Sequence, residues 1–226
     1  MAHDTVVLVD VDNTLLDNDA VLVDLKRHLL EAFGREREQR YWAIFEQLRD
    51  ELGYADYLGA LQRYRIEQPG DPQILRASLF LLHYPFADRV YPGVLDMVRQ
   101  LRAQLPVVVL SDGDVVFQPR KVERSGIWAA VEGDVLIYIH KEQMLDDVER
   151  RYPAKRYVMV DDKLRILAAM KAVWGDRLTA VWVRQGHYAL DPAIVAAYPA
   201  PDVTIDRIQQ LIGTINRVTV LPIPNA

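Results

Sequence analysis

A run of β-branched and aliphatic residues, Val6 to Val9, ends in Asp10-Val11-Asp12-Asn13-Thr14, and no other stretch so narrows what this chain can fold into. Such a run reads as a strand covered on both faces, the kind found in parallel sheets. A core does not accept carboxylates unpaired, so the end of this strand must be a place where their charge is compensated. Alternation along an extended strand sends the Asp10 and Asp12 side chains the same way, about 6–7 Å apart. They then emerge at the carboxyl edge, where open α/β sheets place their ligands.

After Leu16 the pattern turns helical for roughly seventy residues. Val21, Leu22, Leu25 and Leu29 recur at helical spacing over 17–33, with Gly34 as a stop. A charged helix with an aromatic stripe (Tyr41, Trp42, Phe45) follows over 35–52 and closes at Gly53. Two more helices are expected over 54–66 and 71–82, the second opened by Asp71 as N-cap and Pro72 at the first helical position. From Arg89 strands and helices alternate. Strands are expected at 106–110, 135–139, 157–160, 178–183 and 203–205, with helices between them, including one from Lys141 to Arg151. Alternation of this kind means parallel βαβ units and a doubly wound α/β sheet. Residues 17–87 therefore read as an all-helical cap inserted after the first strand of a core made of 1–16 and 88–226. A chain of 226 residues is long enough for both.

Several function classes are excluded early. There is no cysteine, hence no disulfide, thiolate nucleophile or Cys-based zinc site, which fits a cytoplasmic protein. A formal charge of −5 disfavours general nucleic-acid binding, and no apolar stretch is long enough for a signal peptide or a membrane span. An EF-hand loop starting at Asp10 would need glycine and glutamate where Leu15 and Val21 stand. Walker, Gly-x-Gly-x-x-Gly and Gly-x-Ser-x-Gly motifs are absent.

Four polar clusters fall at the carboxyl ends of separate expected strands: Asp10 with Asp12, Ser111, His140-Lys141, and Asp161-Asp162. A parallel sheet brings all four to one edge. Carboxylates, a hydroxyl and an ammonium gathered there suit a divalent cation and a phosphoryl group. Magnesium takes oxygen ligands, and Asp10 with Asp161 or Asp162 would supply them. The Ser111 hydroxyl and the amides of Asp112 and Gly113 are expected to hold phosphate oxygens at the start of the next helix. Lys141 opens a helix, where its charge opposes the dipole, a placement that suggests use elsewhere. Lys121, by contrast, sits among Arg120 and Arg124 inside a helix and reads as part of a solvated face.

Asp10-Val11-Asp12-Asn13-Thr14-Leu15, Ser111 at a strand end, Lys141 and Val160-Asp161-Asp162 together resemble the four motifs of the haloacid dehalogenase superfamily. That resemblance covers Thr5 to about Val183 and implies a Rossmann-like core with a helical cap. It further implies Asp10 as nucleophile, Asp12 as the acid and base, and magnesium held by Asp10, the Asp12 backbone carbonyl and one or both of Asp161 and Asp162. Ser111 and Lys141 would bind the transferring phosphoryl group. Dehalogenating members typically lack an acid two residues after the nucleophile, so Asp12 points to phosphate chemistry. The expected activity is magnesium-dependent hydrolysis of a small phosphorylated metabolite. Phosphotransfer through the same intermediate, or phospho-ligand or partner binding without turnover, are the alternatives. Tyr41, Trp42, Tyr54, Tyr57 and Arg63 or Arg65 are expected cap contacts.

Overall fold

The computed structural model describes residues 3–218. Six strands form one sheet: β1 His3–Val9, β2 Val107–Asp112, β3 Val135–Tyr138, β4 Ala154–Asp161, β5 Leu178–Val183 and β6 Val203–Ile205. Their spatial order is β3-β2-β1-β4-β5-β6, and every neighbouring pair is parallel. β1 lies at the centre because its side chains find apolar cover on both sides. Val7 and Val9 join one core and Val6 and Leu8 the other, all fully buried. Full burial of a valine or leucine side chain contributes about 1.5–3 kcal/mol, enough to fix this strand's register.

Five α-helices separate β1 from β2 along the chain, and the first four make up the helical insertion: α1 Asn18–Phe33, α2 Arg35–Leu52, α3 Tyr57–Glu67 and α4 Pro72–His83. Their ends follow from local chemistry. Asp17 caps α1 by accepting from the Ala20 amide at 2.9 Å, and Gly34 ends it at φ 75°. Asp71 caps α4, with Pro72 at its first position where no amide hydrogen is needed. α3 begins at Tyr57 rather than 54, because Asp56 is the cap and accepts from Gly59. Within the insertion Phe45 stacks on Tyr57 at 4.8 Å, and Tyr57 meets Phe117, in the helix after β2, edge-on at 5.5 Å.

The remaining helices are α5 Val94–Arg102, α6 Phe117–Arg124, α7 Ile127–Ala130, α8 Leu145–Arg151, α9 Leu164–Trp174, α10 Gly186–Leu190, α11 Pro192–Ala196 and α12 Leu211–Val218. Two differences from the sequence reading bear on the site. β2 runs through Ser111 and Asp112, and α6 starts only at Phe117, so Ser111 is not beside a helix start. Lys141 opens a single 3-10 turn, Lys141–Gln143, and α8 begins four residues later at Leu145. Among the described residues, no helix is long and apolar enough to cross a membrane.

Candidate active site

β1 ends at Val9, the Asp10 amide still reaches the Val160 carbonyl at 3.0 Å, and then the chain turns. The Val11 carbonyl accepts from the amides of Thr14, Leu15 and Leu16. Asn13 takes a left-handed φ of 58° and anchors the turn, its Oδ1 accepting from the Asn18 and Asp19 amides at 3.0 and 3.1 Å. Because the strand stops before Asp12, the two carboxylates do not run parallel as strand alternation suggests. They take different partners.

Asp10 is buried and faces Lys141. The Lys141 ammonium donates to Asp10 Oδ1 at 2.5 Å, lies 2.7 Å from Asp161 Oδ2, and donates to the Leu110 carbonyl at 3.2 Å. Burial opposes its charge, but Asp10, Asp161 and Asp112 outweigh that and raise its pKa. Ser111 Oγ donates to Asp10 Oδ1 at 3.4 Å and accepts from Gln118 Nε2 at 3.0 Å. Asp112 Oδ1 accepts from the Lys141 amide at 2.7 Å and so fixes the lysine's backbone. The Gly113 amide is committed to the Tyr138 carbonyl at 2.9 Å, and the helix amides of Val116 and Phe117 are committed to Asp114. The Gly113 amide thus has a backbone partner, and the next helix starts four residues further on, at Phe117. Gly113 has a different use: a Cβ there would lie 2.4 Å from the Gln118 side chain, which needs that space to reach Ser111.

Asp12 faces Lys121. The Lys121 ammonium donates to both Asp12 oxygens, at 2.7 and 2.9 Å, and to Asn18 Oδ1 at 2.9 Å. Lys121 is only 1% exposed, which overturns its reading as a solvated side chain. The signal was present in the helical period: Phe117, Lys121, Val122 and Ser125 share one face of α6 and its end, and all are buried.

The third group stands at the end of β4. Asp161 accepts the Lys163 amide at 2.8 Å through Oδ1 and ion-pairs with Lys141 through Oδ2, while Asp162 has no hydrogen-bond partner on either oxygen. Trp182 holds the Asp162 carbonyl at 2.9 Å. Burial pushes Asp161 up to about 6 and Asp162 well above the usual carboxylate range. Lys163 is raised in turn: burial opposes its charge, but Asp162, Asp10 and Asp161 prevail. Oxygens of Asp10, Asp161 and Asp162 lie within 4.8 Å of one another. Asp10 Oδ2 is a further buried oxygen without a partner. Five carboxylates (Asp10, Asp12, Asp112, Asp161, Asp162) thus face three ammonium groups (Lys121, Lys141, Lys163). A set of buried, unpartnered carboxyl oxygens, in a site with more carboxyl than ammonium groups, fits a divalent cation.

A cavity of about 1250 Å³ opens between this edge and the helical insertion. Asp12, Asp112, Gly113, Gln118, Lys121 and Lys163 line it from the sheet side, and Trp42, Phe45, Tyr54 and Tyr57 from the insertion. Asp10, Ser111, Lys141, Asp161 and Asp162 are buried and are not among its lining residues. Of the other expected contacts, Tyr41 is fully buried with its hydroxyl on the Tyr57 carbonyl, Arg63 pairs with Glu51, and Arg65 lies by a separate shallow pocket.

The sequence pattern of haloacid dehalogenase-like hydrolases matches residues 5–173. No curated protein sequence matches this chain. Among solved structures, one of a haloacid dehalogenase-like hydrolase from Burkholderia xenovorans LB400 is 65% identical, covers 93% of this chain and 98% of its own, and superposes with a TM-score of 0.89. Two distant structures share the fold. The magnesium-bound HAD-hydrolase YfnB of Bacillus subtilis is 17% identical, with a TM-score of 0.64 and coverage of 96% and 100%. L-2-haloacid dehalogenase of Xanthobacter autotrophicus is 16% identical, with a TM-score of 0.62 and coverage of 96% and 99%.

Proposed function

This chain belongs to the haloacid dehalogenase-like hydrolases, and within that family we propose that it is a magnesium-dependent phosphatase of a small phosphorylated metabolite. The observation that carries the reading is Asp12, a carboxyl group held at the cavity wall two residues beyond Asp10. Loss of an alkoxide from phosphorus needs a proton donor, whereas loss of a halide needs none.

Asp10, fixed through Oδ1 by Lys141 and Ser111, attacks phosphorus. As the bond from phosphorus to the ester oxygen breaks, Asp12 gives its proton to that oxygen. Water then yields a proton to Asp12 and attacks the aspartyl-phosphate, releasing phosphate and restoring both carboxyl groups. Lys141 and Ser111 steady the phosphoryl oxygens. Magnesium would be held by Asp10, the Asp12 carbonyl and Asp162, whose oxygens are free, with Asp161 engaged by Lys141 and Lys163. When bound, it neutralises charge between carboxylate and phosphate. The magnesium-bound YfnB structure supports the choice of ion. Residues 17–87 act as a cap over a core of 1–16 and 88–226, and the cysteine-free composition supports a cytoplasmic site of action.

Phosphate release from 4-nitrophenyl phosphate and chloride release from 2-chloropropionate are measured side by side with magnesium. Phosphate release alone is expected, and Asp10→Asn lowers it by at least about 10⁴-fold. Chloride release, or turnover that survives Asp10→Asn, overturns the assignment.

A further inference from the structure

The roles above leave one buried ammonium without a task. Lys121 lies on α6, in no contact with Asp10, Asp161 or Asp162 that the geometry records, and its three acceptor oxygens are the two of Asp12 and Oδ1 of Asn18. It is 1% exposed and its ammonium lies 5.1 Å from the centre of the Phe117 ring. Four long bonds of lysine are thereby held in one geometry, an ordering that costs up to about 2 kcal/mol of side-chain entropy and is not spent on an idle surface pair.

We propose that Lys121 is a positioning residue that aims the Asp12 carboxyl at the leaving-group oxygen and makes that aim depend on the seating of the helical insertion. The inference rests on the phosphatase reading above. Three features support it. First, Lys121 holds both Asp12 oxygens, so it fixes the plane of the carboxyl group as well as its distance. Gln118, one turn earlier on the same helix, reaches Asp12 Oδ2 at 3.5 Å while donating to Ser111 at 3.0 Å, so α6 links the acid to the phosphoryl-binding side of the site.

Second, the third ligand of the ammonium is Asn18, the first residue of α1 and thus of the insertion. Asn18 lines the cavity together with Tyr57 of α3. The Asn18 amide is in turn held by Asn13, in the turn that carries Asp12. A movement of α1 relative to the sheet would therefore remove one of the three acceptors that centre the ammonium. Third, Lys121, Asn18 and Asp12 all line the cavity, whereas the Lys141 pair does not, so this contact is the one a bound leaving group meets. A carboxyl left free to rotate at a cavity wall would spend part of its time turned away from the ester oxygen, and misplacement of about 1 Å can cost roughly 10²-fold in rate.

The test uses two phosphate esters of similar ring size, 4-nitrophenyl phosphate and benzyl phosphate, assayed with the full-length protein and magnesium. The first expels a stable phenolate and needs little protonation. The second expels an alkoxide and needs the acid. kcat/KM reports the first phosphoryl transfer, where Asp12 acts as donor. In Lys121→Met, kcat/KM for benzyl phosphate is expected to fall at least about 10²-fold and that for 4-nitrophenyl phosphate less than about tenfold. Lys121→Arg, which keeps a cation able to grip both oxygens, restores part of the benzyl activity. Asn18→Ala leaves the charge pair in place and shifts the same ratio in the same direction by several-fold. It carries the decision if Lys121→Met fails to fold by circular dichroism. Equal losses on the two esters, in Lys121→Met or in a folded Asn18→Ala, overturn the proposal, because a structural or phosphate-binding lysine would not discriminate between leaving groups. If the unmodified protein hydrolyses neither ester, it is the phosphatase reading that fails, and the positioning role falls with it.

Discussion

Replacing Asp162 by asparagine should stabilise the metal-free protein while abolishing its response to magnesium. Both Asp162 oxygens are buried without a hydrogen-bond partner, and burial raises its pKa well above the usual 3.8. A buried carboxyl group without a partner costs several kcal/mol, and more as it ionises. An amide of the same shape removes that cost, but its own unsatisfied polar atoms take back about 1–3 kcal/mol. A net gain of about 1 kcal/mol is expected, or near 0.5 M in the urea midpoint at a slope of about 2 kcal/mol/M. Urea titrations in EDTA and in saturating magnesium provide the measurement. The parent protein should gain about 2.7 kcal/mol at a hundredfold excess of magnesium over its dissociation constant, and the variant less than about 0.5 kcal/mol. A variant less stable than its parent in EDTA, or one that gains as much from magnesium, would refute the assignment of Asp162 as a buried carboxylate kept for a cation.

Two further outcomes follow from the same geometry. Burial pushes Asp161 up to about 6 and Asp162 well above its ordinary value, so above pH 4 the metal-free folded chain holds protons that the unfolded chain has released. The stability these groups supply is complete below about pH 4 and is lost as pH rises through about 6. Magnesium should therefore raise the melting temperature more at pH 7 than at pH 5, and a larger rise at pH 5 would contradict the sign. At the other end of the site, Gly186 has φ 72° and a Cβ there would lie 2.5 Å from the Asn13 side chain. Gly186→Ala should cost about 2 kcal/mol in chemical denaturation and disturb the turn that carries Asp12; a cost under about 0.5 kcal/mol would mean that the segment yields freely.

What the sequence makes legible is local chemistry with its partner close by. Asp17 and Gly34 bound α1, Asp71-Pro72 opens α4, and the apolar runs mark β1, β2 and β5, because caps and alternation act within a few residues. The family resemblance is carried by short motifs at strand ends, Asp10, Ser111, Lys141 and the Asp161-Asp162 pair, which a parallel sheet brings to one edge. Legibility ends where a residue's use depends on a partner far along the chain. The amide of Gly113 is spent across the sheet on Tyr138, which no count of glycines after a strand reveals. Lys121 reads as solvated in a helix rich in arginine, yet α6 turns that cation inward beside Phe117 and Val122. The strand's early stop at Val9 explains why this matters. Had the strand continued, Asp10 and Asp12 would have shared one environment and one counter-charge. Because the chain turns at Val11, Lys141 takes the first carboxylate and Lys121 the second. Two acids two residues apart thus each have their own ammonium, one from the 3-10 turn after β3 and one from the helix after β2, a separation that the proposed division into nucleophile and acid requires.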